Sequence, residues 1–521
     1  MEQVRADRRA MAVIDGRAPA TAEDAGPAAV AAARVLRAHG VRPGDRVLVK
    51  ADNSVEQVVA VLALVHLGAS LVLLDNHHTD AETLRALTAA QVRFVLTDRR
   101  SRPVPAGIRG LTVEELYRAA REPAGPDTGT GTGTGTDPRT NPESDPDTSE
   151  DFSTQAWYCR DDALVIWSSG TTGESKGIVK SGRAFLDNLE RTRRLMAYGV
   201  GDVFLPLLPF SHQYGISLIL LAHLSGGDLV VVPYTRLDRA LAAGARCGAT
   251  VVDATPATYR SALNLMNRRP ALLTALRGVR MWCTGGAPMD RNLGRHFRES
   301  TGRPLLDGYG STEAGNVAFA TPDNPVGCGR ILDGLEVRIL SPDGRRALPP
   351  GEVGEIWLHT PDLMEGYLSA GGGIAPAPAS HGYRTGDLGH LDEGGNLHVA
   401  GRRSAVHRLG HTLYPEVLER KAEVCGRPVK VIALADERRG HELVFVIEDP
   451  ESGHPRVWRE RVSRQLASFE HPNHVLVTDR FPLNRNGKTD VLRLRAWVTA
   501  RLRSGPEQQS RQPVPAPAAL D

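Results

Sequence analysis

The chain has 521 residues, 41% of them hydrophobic and 24% charged, with a net charge of +2. That is ordinary soluble composition, long enough for more than one domain, and it excludes the basic footprint that nucleic-acid binding needs. The five cysteines, Cys159, Cys247, Cys283, Cys328 and Cys425, are scattered and odd in number. Without CxxC or Cys/His ligand spacing they predict no structural zinc site and a reducing, cytoplasmic setting.

In chain order, the first residues carry charge but no apolar run behind it, so no signal peptide is expected. Ala28–His39 is an Ala-rich predicted helix, and Gly40 to Asp45 a turn punctuated by Gly and Pro. A strand follows at Arg46–Lys50, then a helix over Asn53–Leu67. Val58 to Leu74 is strongly apolar, yet shorter than the roughly 20 residues a membrane helix needs, and it carries His66, Gly68 and Ser70. It reads as a buried helix to about Leu67, a stop at Gly68 and a buried strand Ser70–Leu74, with no membrane insertion. A helix over Thr79–Ala90 and a strand at Phe94–Thr97 continue the alternation. Such alternation predicts a layered α/β fold with largely parallel sheets.

Residues 122–150 break the pattern. A Gly-Thr repeat from Gly129 to Thr136 leads into Asp, Pro, Ser and Glu, too little apolar surface to offset the entropy of ordering. This reads as a disordered insertion inside a domain. After it, the apolar strand Ala163–Trp167 feeds the most chemically suggestive stretch of the chain. Tyr383–Val399 reads as turn and hairpin, with a domain boundary near Gly401-Arg402. Beyond it, strands at Lys430–Ala435 and Leu443–Ile447, a helix over about Arg456–Phe469 and a loop at Pro482–Asp490 suit a small mobile α+β domain. The expected division is 1–400, 402–503 and a disordered tail 504–521.

The chemistry begins at Ser168-Ser169-Gly170-Thr171-Thr172-Gly173-Glu174-Ser175-Lys176-Gly177. Glycines let backbone N–H groups turn toward an anion, hydroxyls add donors, and Lys176 supplies a point charge for phosphate. GxxxxGK[ST] is not met, so this is not a Walker A loop. The stretch resembles the phosphate loop of the adenylate-forming superfamily: acyl- and aryl-CoA synthetases, peptide-synthetase adenylation domains and luciferases.

Further boxes of that family follow in order. Gly285-Gly286-Ala287-Pro288 resembles the loop lining the acid pocket and adenine site. Gly308-Tyr309-Gly310-Ser311-Thr312-Glu313 resembles its YGxTE box. Gly354-Glu355-Ile356-Trp357 and Gly366-Tyr367-Leu368 resemble the next box. Tyr383-Arg384-Thr385-Gly386-Asp387-Leu388 is similar to its YRTGDL box, and Gly401-Arg402 to its hinge. Pro482-Leu483-Asn484-Arg485-Asn486-Gly487-Lys488 resembles its PxxxxGK box. The resemblance implies ATP and Mg²⁺ as cofactors, with Mg²⁺ held by Glu313 and with Thr171 beside it. It implies Thr312 at the α-phosphate and Asp387 at the ribose hydroxyls, whose vicinal pair suits a carboxylate's two oxygens. Arg402 would reach ribose or phosphate, and Lys488 would be the catalytic lysine, steadying charge at phosphorus.

Two departures shape the expected reaction. At the hinge, Ser404 or Ala405 stands where the family usually has acidic residues, and the segment to His411 is one residue short. Thioester formation with coenzyme A or a phosphopantetheinyl carrier protein is the leading expectation. Transfer to a nitrogen nucleophile, from a carboxylic or less usual oxyacid, is the alternative, and a nucleotide-binding scaffold is a third reading. In the acid-pocket box Pro206 to Gly215 there is no Asp to pair with a substrate ammonium. A buried ammonium without a partner is costly, so a small acid without an α-amino group is expected. His212, Gln213, Tyr214, Gly285 and Gly310 are the candidate pocket residues, with a satisfied core histidine the competing reading for His212.

Overall fold

The computed structural model describes residues 11–17, 21–76, 78–99, 108–122, 151–169, 175–287, 289, 291–341, 344, 346–369, 371–377, 382–402, 406–408, 411–436, 440–466, 470–484 and 488–503. The expected disordered insertion, apart from Glu122, and the expected tail lie outside the described residues.

Two large sheets form the body. One has nine strands in the order Arg330–Ile331, Gly315–Phe319, Leu305–Ser311, Met281–Thr284, Val251–Ala254, Val203–Leu207, Asp228–Val231, Ala12–Asp15 and Thr21–Asp24. The six strands from Leu305–Ser311 to Ala12–Asp15 in that order are parallel to one another, and the strands outside them pair antiparallel. The other has eight strands in the order Ile374–Pro376, Gly366–Leu368, Ser175–Lys180, Leu164–Ser169, Ser70–Leu73, Arg46–Lys50, Phe94–Thr97 and Arg109–Thr112. The fold is therefore layered α/β with parallel-rich sheets, as the alternation of elements implies.

The two sheets share one core. Val13, Phe204, Val251 and Cys283 from the first sheet join Val47, Leu71 and Ile166 from the second, with helices Ala25–Ala38, Val55–Leu67, Gly182–Leu195 and Gln213–Ser225 contributing to the same cluster. This explains the apolar run at Val58. Val55–Leu67 is buried on every face because sheet and helix surround it, and its ends carry ordinary soluble signals. Ser54 caps its N-terminus by accepting from the Gln57 N–H, and Gly68 ends it with a left-handed φ of 74°. No helix among the described residues is long and apolar enough to cross a membrane.

A four-stranded antiparallel sheet, Glu336–Leu340, Gly354–His359, Tyr383–Leu391 and Leu397–Arg402, follows. The three-stranded sheet Val429–Asp436, Gly440–Glu448 and His474–Thr478 has apolar clusters on both faces. One helix is shorter than its sequence suggests. Instead of running from Arg456 to Phe469 it spans Pro455–Ser463. Past Ser463 the N–H groups of Gln465 and Leu466 bond three residues back, a tighter winding that turns Leu466 into the core.

Candidate active site

The strand Leu164–Ser169 pairs antiparallel with Ser175–Lys180, bringing Ser168 opposite Lys176 and Ser169 opposite Ser175. Gly170, Thr171, Thr172 and Gly173 lie between them, outside the described residues. The Lys176 ammonium stands 5.2 Å from the centre of the Tyr367 ring, a cation–π distance.

Lys180, at the end of the same hairpin, is fully buried. Its ammonium donates to the Asp362 carbonyl at 2.9 Å and the Glu313 carbonyl at 3.2 Å. Burial pushes its pKa down to about 8, against the pull of the nearby Asp362 carboxylate. Asp362 is held in turn by Arg191 at 2.8 Å and Asn188 at 3.0 Å. This group underpins the turn Thr312–Ala314 between two strands of the nine-stranded sheet. The Glu313 carbonyl also accepts from the Met364 N–H at 2.7 Å, Asn188 brackets Asn316, and Ser311 Oγ receives the Ala314 N–H. Glu313 is half-buried, and among the described residues none donates to its carboxylate. No cluster of three metal-ligating side chains exists among the described residues. A single carboxylate does fit Mg²⁺, which takes one or two carboxylates plus substrate phosphates.

Two residues far apart in sequence meet beside this turn. The Tyr309 hydroxyl donates to Asp387 Oδ2 at 2.7 Å, and Asp387 is buried. Its backbone N–H donates to Thr385 Oγ1, whose hydroxyl donates to the Ile356 carbonyl. Arg402 stands opposite Asp387 in strand register, and its side chain lies outside the described residues. Gly308 and Gly310 are required by space. An added Cβ would stand 2.6 Å from the Phe319 ring at Gly308, and 2.6 Å from the Gly315 carbonyl at Gly310.

The acid-pocket candidates converge on the start of helix Gln213–Ser225. Asn53 shapes the approach, donating to the Leu208 carbonyl and accepting from the Phe210 N–H. His212 is 29% exposed, with Nε2 3.6 Å from an Asp75 oxygen that also accepts from Ser211 Oγ. It is therefore not a core histidine. Gln213 donates to the Ser311 carbonyl at 2.9 Å, tying this helix to the Tyr309–Glu313 segment. The Tyr214 ring lies against Gly285, where an added Cβ would be 3.3 Å away, and its hydroxyl donates to Asp253 at 2.8 Å. Gly286 has φ 78°, and Ala287 is half-buried beside it. Asp75, Asp253 and Lys180 carry no sequence motif, and only the contacts reveal them.

Lys488 lies on a loop closed by the isolated bridge Leu483–Thr489. The Asn484 N–H donates to the Lys488 carbonyl at 2.7 Å, and the Lys488 N–H to Asn484 Oδ1 at 3.0 Å. The residue is exposed. Within the segment Gly401–His411, residues 403–405 and 409–410 lie outside the described residues.

Layered sheets, a Gly/Ser/Thr hairpin and a pinned acidic turn beside a buried Tyr–Asp pair define an enzyme of the adenylate-forming kind. A family model described as AMP-binding enzyme matches residues 1–368, and the chain belongs to that family. It is 29% identical to a 4-coumarate–CoA ligase-like protein of Oryza sativa subsp. japonica, over 88% of this chain and 85% of the relative. It shares its fold with ATP-bound MatB from Rhodopseudomonas palustris, with a TM-score of 0.78, 24% identity and coverage of 95% and 97%. The amide bond synthetase Mcba from Marinactinospora thermotolerans superposes with a TM-score of 0.70, at 24% identity over 90% of this chain and 93% of that one.

Proposed function

We propose that the protein uses ATP to activate a small carboxylic acid without an α-amino group as its acyl-adenylate, then passes the acyl group to a thiol, coenzyme A or a carrier protein. The observation that carries the reading is the pinned Ser311–Glu313 turn beside the Tyr309–Asp387 pair, in a chain of the AMP-binding family.

A carboxylate oxygen of the acid attacks the α-phosphorus of ATP, the bond to the bridging oxygen breaks, and pyrophosphate leaves. The hairpin Ser168–Lys176 cradles the outgoing phosphates, and Thr312 holds an α-phosphate oxygen. Asp387 accepts from ribose hydroxyls, with Tyr309 fixing its rotamer. The Lys488 ammonium bridges the attacking carboxylate and the α-phosphate. Its work is positioning and charge stabilisation rather than proton transfer. Glu313 is the carboxylate that would hold Mg²⁺, which when bound neutralises phosphate charge. In the second step the thiol attacks the acyl carbonyl, and AMP leaves with the electrons of the broken carbonyl–oxygen bond.

A nitrogen nucleophile is the second reading of the acceptor. The one-residue-short hinge segment after Arg402 and the fold shared with an amide bond synthetase favour it. ATP–pyrophosphate exchange across a panel of acids tests the first step, and AMP release with coenzyme A against amines tests the second. Acid-dependent exchange with thiol-dependent AMP release is expected. Release that needs an amine and ignores coenzyme A would move the protein to the second reading, and no exchange with any acid would remove both.

A further inference from the structure

Lys180 is a buried charge to which the adenylation chemistry gives no role. It ends strand Ser175–Lys180, the strand that carries Lys176, and its side chain is fully buried. Taking an ammonium out of water is costly unless a counter-charge meets it. Among the described residues Lys180 makes no ion pair. The nearby Asp362 carboxylate is committed to Arg191 and Asn188. Methionine is an unbranched apolar side chain that adapts to irregular space, and it would fill this one without the charge. What methionine cannot do is donate two hydrogen bonds from one point. Lys180 gives these to the carbonyls of Asp362 and Glu313.

Those two bonds join segments that are far apart in the chain. Glu313 lies in the turn Thr312–Ala314, and Asp362 in the loop before strand Gly366–Leu368, which pairs with the strand that Lys180 ends. Backbone groups close the same circuit. The Met364 N–H donates to the Glu313 carbonyl and the Glu365 N–H to the Val179 carbonyl. Tyr367, in register with Ile178, places its ring at the Lys176 ammonium. On its other side the turn is held by Asn188, which exchanges two hydrogen bonds with the Asn316 backbone and donates to the Asp362 carboxylate. The Glu313 backbone is thus tied to the strand bearing Lys176, while its carboxylate receives no donor among the described residues.

We propose that Lys180 is a positioning residue for the metal: by anchoring the Glu313 backbone to the strand that bears Lys176, it sets where the Glu313 carboxylate can meet the Mg²⁺ that accompanies ATP. The inference rests on the adenylation reading and adds to it a residue that acts only through Glu313. Groups that orient a metal ligand are worth about 10- to 100-fold in metal affinity. A buried charge kept for this purpose shows itself in metal-dependent nucleotide binding and leaves binding of the acid alone.

The test is calorimetric binding of α,β-methylene-ATP, which cannot be cleaved at the reacting bond, with and without Mg²⁺. Wild type should bind the analogue more tightly with Mg²⁺. Lys180→Met should lose about tenfold or more of that enhancement, with its affinity in the absence of Mg²⁺ unchanged. In ATP–pyrophosphate exchange the same variant should raise the KM for MgATP by a similar factor and leave the acid KM within about twofold. In a Glu313→Gln background, where the carboxylate is gone, Lys180→Met should cause no further loss, because the two residues act as one. Lys180→Gln keeps an N–H donor on a shorter stem and should lie between wild type and the methionine variant. It carries the test if Lys180→Met does not fold. An undiminished Mg²⁺ effect in the folded variant, or an equal loss with and without Mg²⁺, would assign Lys180 to the fold alone and overturn the proposal. So would a wild type indifferent to Mg²⁺, or the failure of both variants to fold. If wild type binds the analogue but exchanges with no acid, the adenylation reading falls, while the Mg²⁺ comparison still decides the role of Lys180.

Discussion

Lys180 holds its ammonium between two carbonyls in a place where water cannot reach it, and the cost of that charge depends on pH. Its folded pKa is about 8, against an ordinary value of 10.5. Below about 8 both folded and unfolded chains hold the proton, so the penalty for burying the ammonium is carried in full. Between about 8 and 10.5 the unfolded chain binds more protons, and this group's contribution to stability rises with pH. A shift of that size corresponds to about 3 kcal/mol. The urea midpoint of Lys180→Met, followed from pH 7.5 to 10, should therefore fall steadily relative to wild type, and a constant difference would refute the buried ammonium. Lys488 calls for the opposite signature. It is exposed, so Lys488→Ala should change stability by less than about 0.5 kcal/mol. Exchange should fall on the order of a hundredfold or more, because a main charge stabiliser is lost. Lys488 could be singled out in the sequence by its box. Lys180 could not, because a lysine closing a β-strand looks like a solvated residue until Glu313 and Asp362, far along the chain, are folded over it. Asp253 stayed hidden for the same reason.

Among the elements, local signals served best where caps and stops coincide with the apolar pattern. Arg46–Lys50 and Phe94–Thr97 are strands over the span their β-branched and apolar residues suggest. The helix expected over Thr79–Ala90 has Thr79 as N-cap with a capping box to Glu82. The Pro455–Ser463 helix is shorter than its sequence suggests because no Gly or Pro marks its end, and the tighter winding beyond it turns Leu466 into the core. Helix Gln213–Ser225 illustrates a constraint of close approach. At Gly215 an added Cβ would stand 2.1 Å from the Pro209 carbonyl oxygen. Gly215→Ala must push the first helical turn away from the Pro209 loop, at a cost of about 1–3 kcal/mol. Tyr214 and Gln213 move with that turn. The variant should show a lower Tm and an acid KM raised severalfold, with the KM for ATP changed less. An equal rise in both constants would separate this helix from the acid pocket.

At the scale of the whole molecule, strand order was out of reach of local patterns. The strand Ala12–Asp15 pairs with Asp228–Val231, more than two hundred residues away, and the two large sheets meet in one shared core. Periodicity reports which face of an element is apolar, not which distant element covers it. The end of the four-stranded sheet was more legible, because Gly401-Arg402 lies where that sheet gives way to the segment bearing Lys488. Gly401 has φ 138°, and an added Cβ would stand 2.9 Å from Cγ of Glu416 on the following helix Pro415–Ala422. Nearby, Arg420 donates to the Val399 carbonyl and Asn292 to that of Glu423, so the segment after Arg402 is bonded to residues before it. The proposed reaction asks that segment to present Lys488 in one step and to admit the acceptor in the next. Gly401→Ala adds backbone strain of about 1–3 kcal/mol and strikes the helix in this arrangement. That strain corresponds to about fivefold to a hundredfold in rate. The half-reaction served by this arrangement should slow by about that factor or more, while the other stays within about threefold. Exchange and single-turnover acyl transfer from isolated adenylate, measured separately, decide it, because a rigid joint would slow both alike.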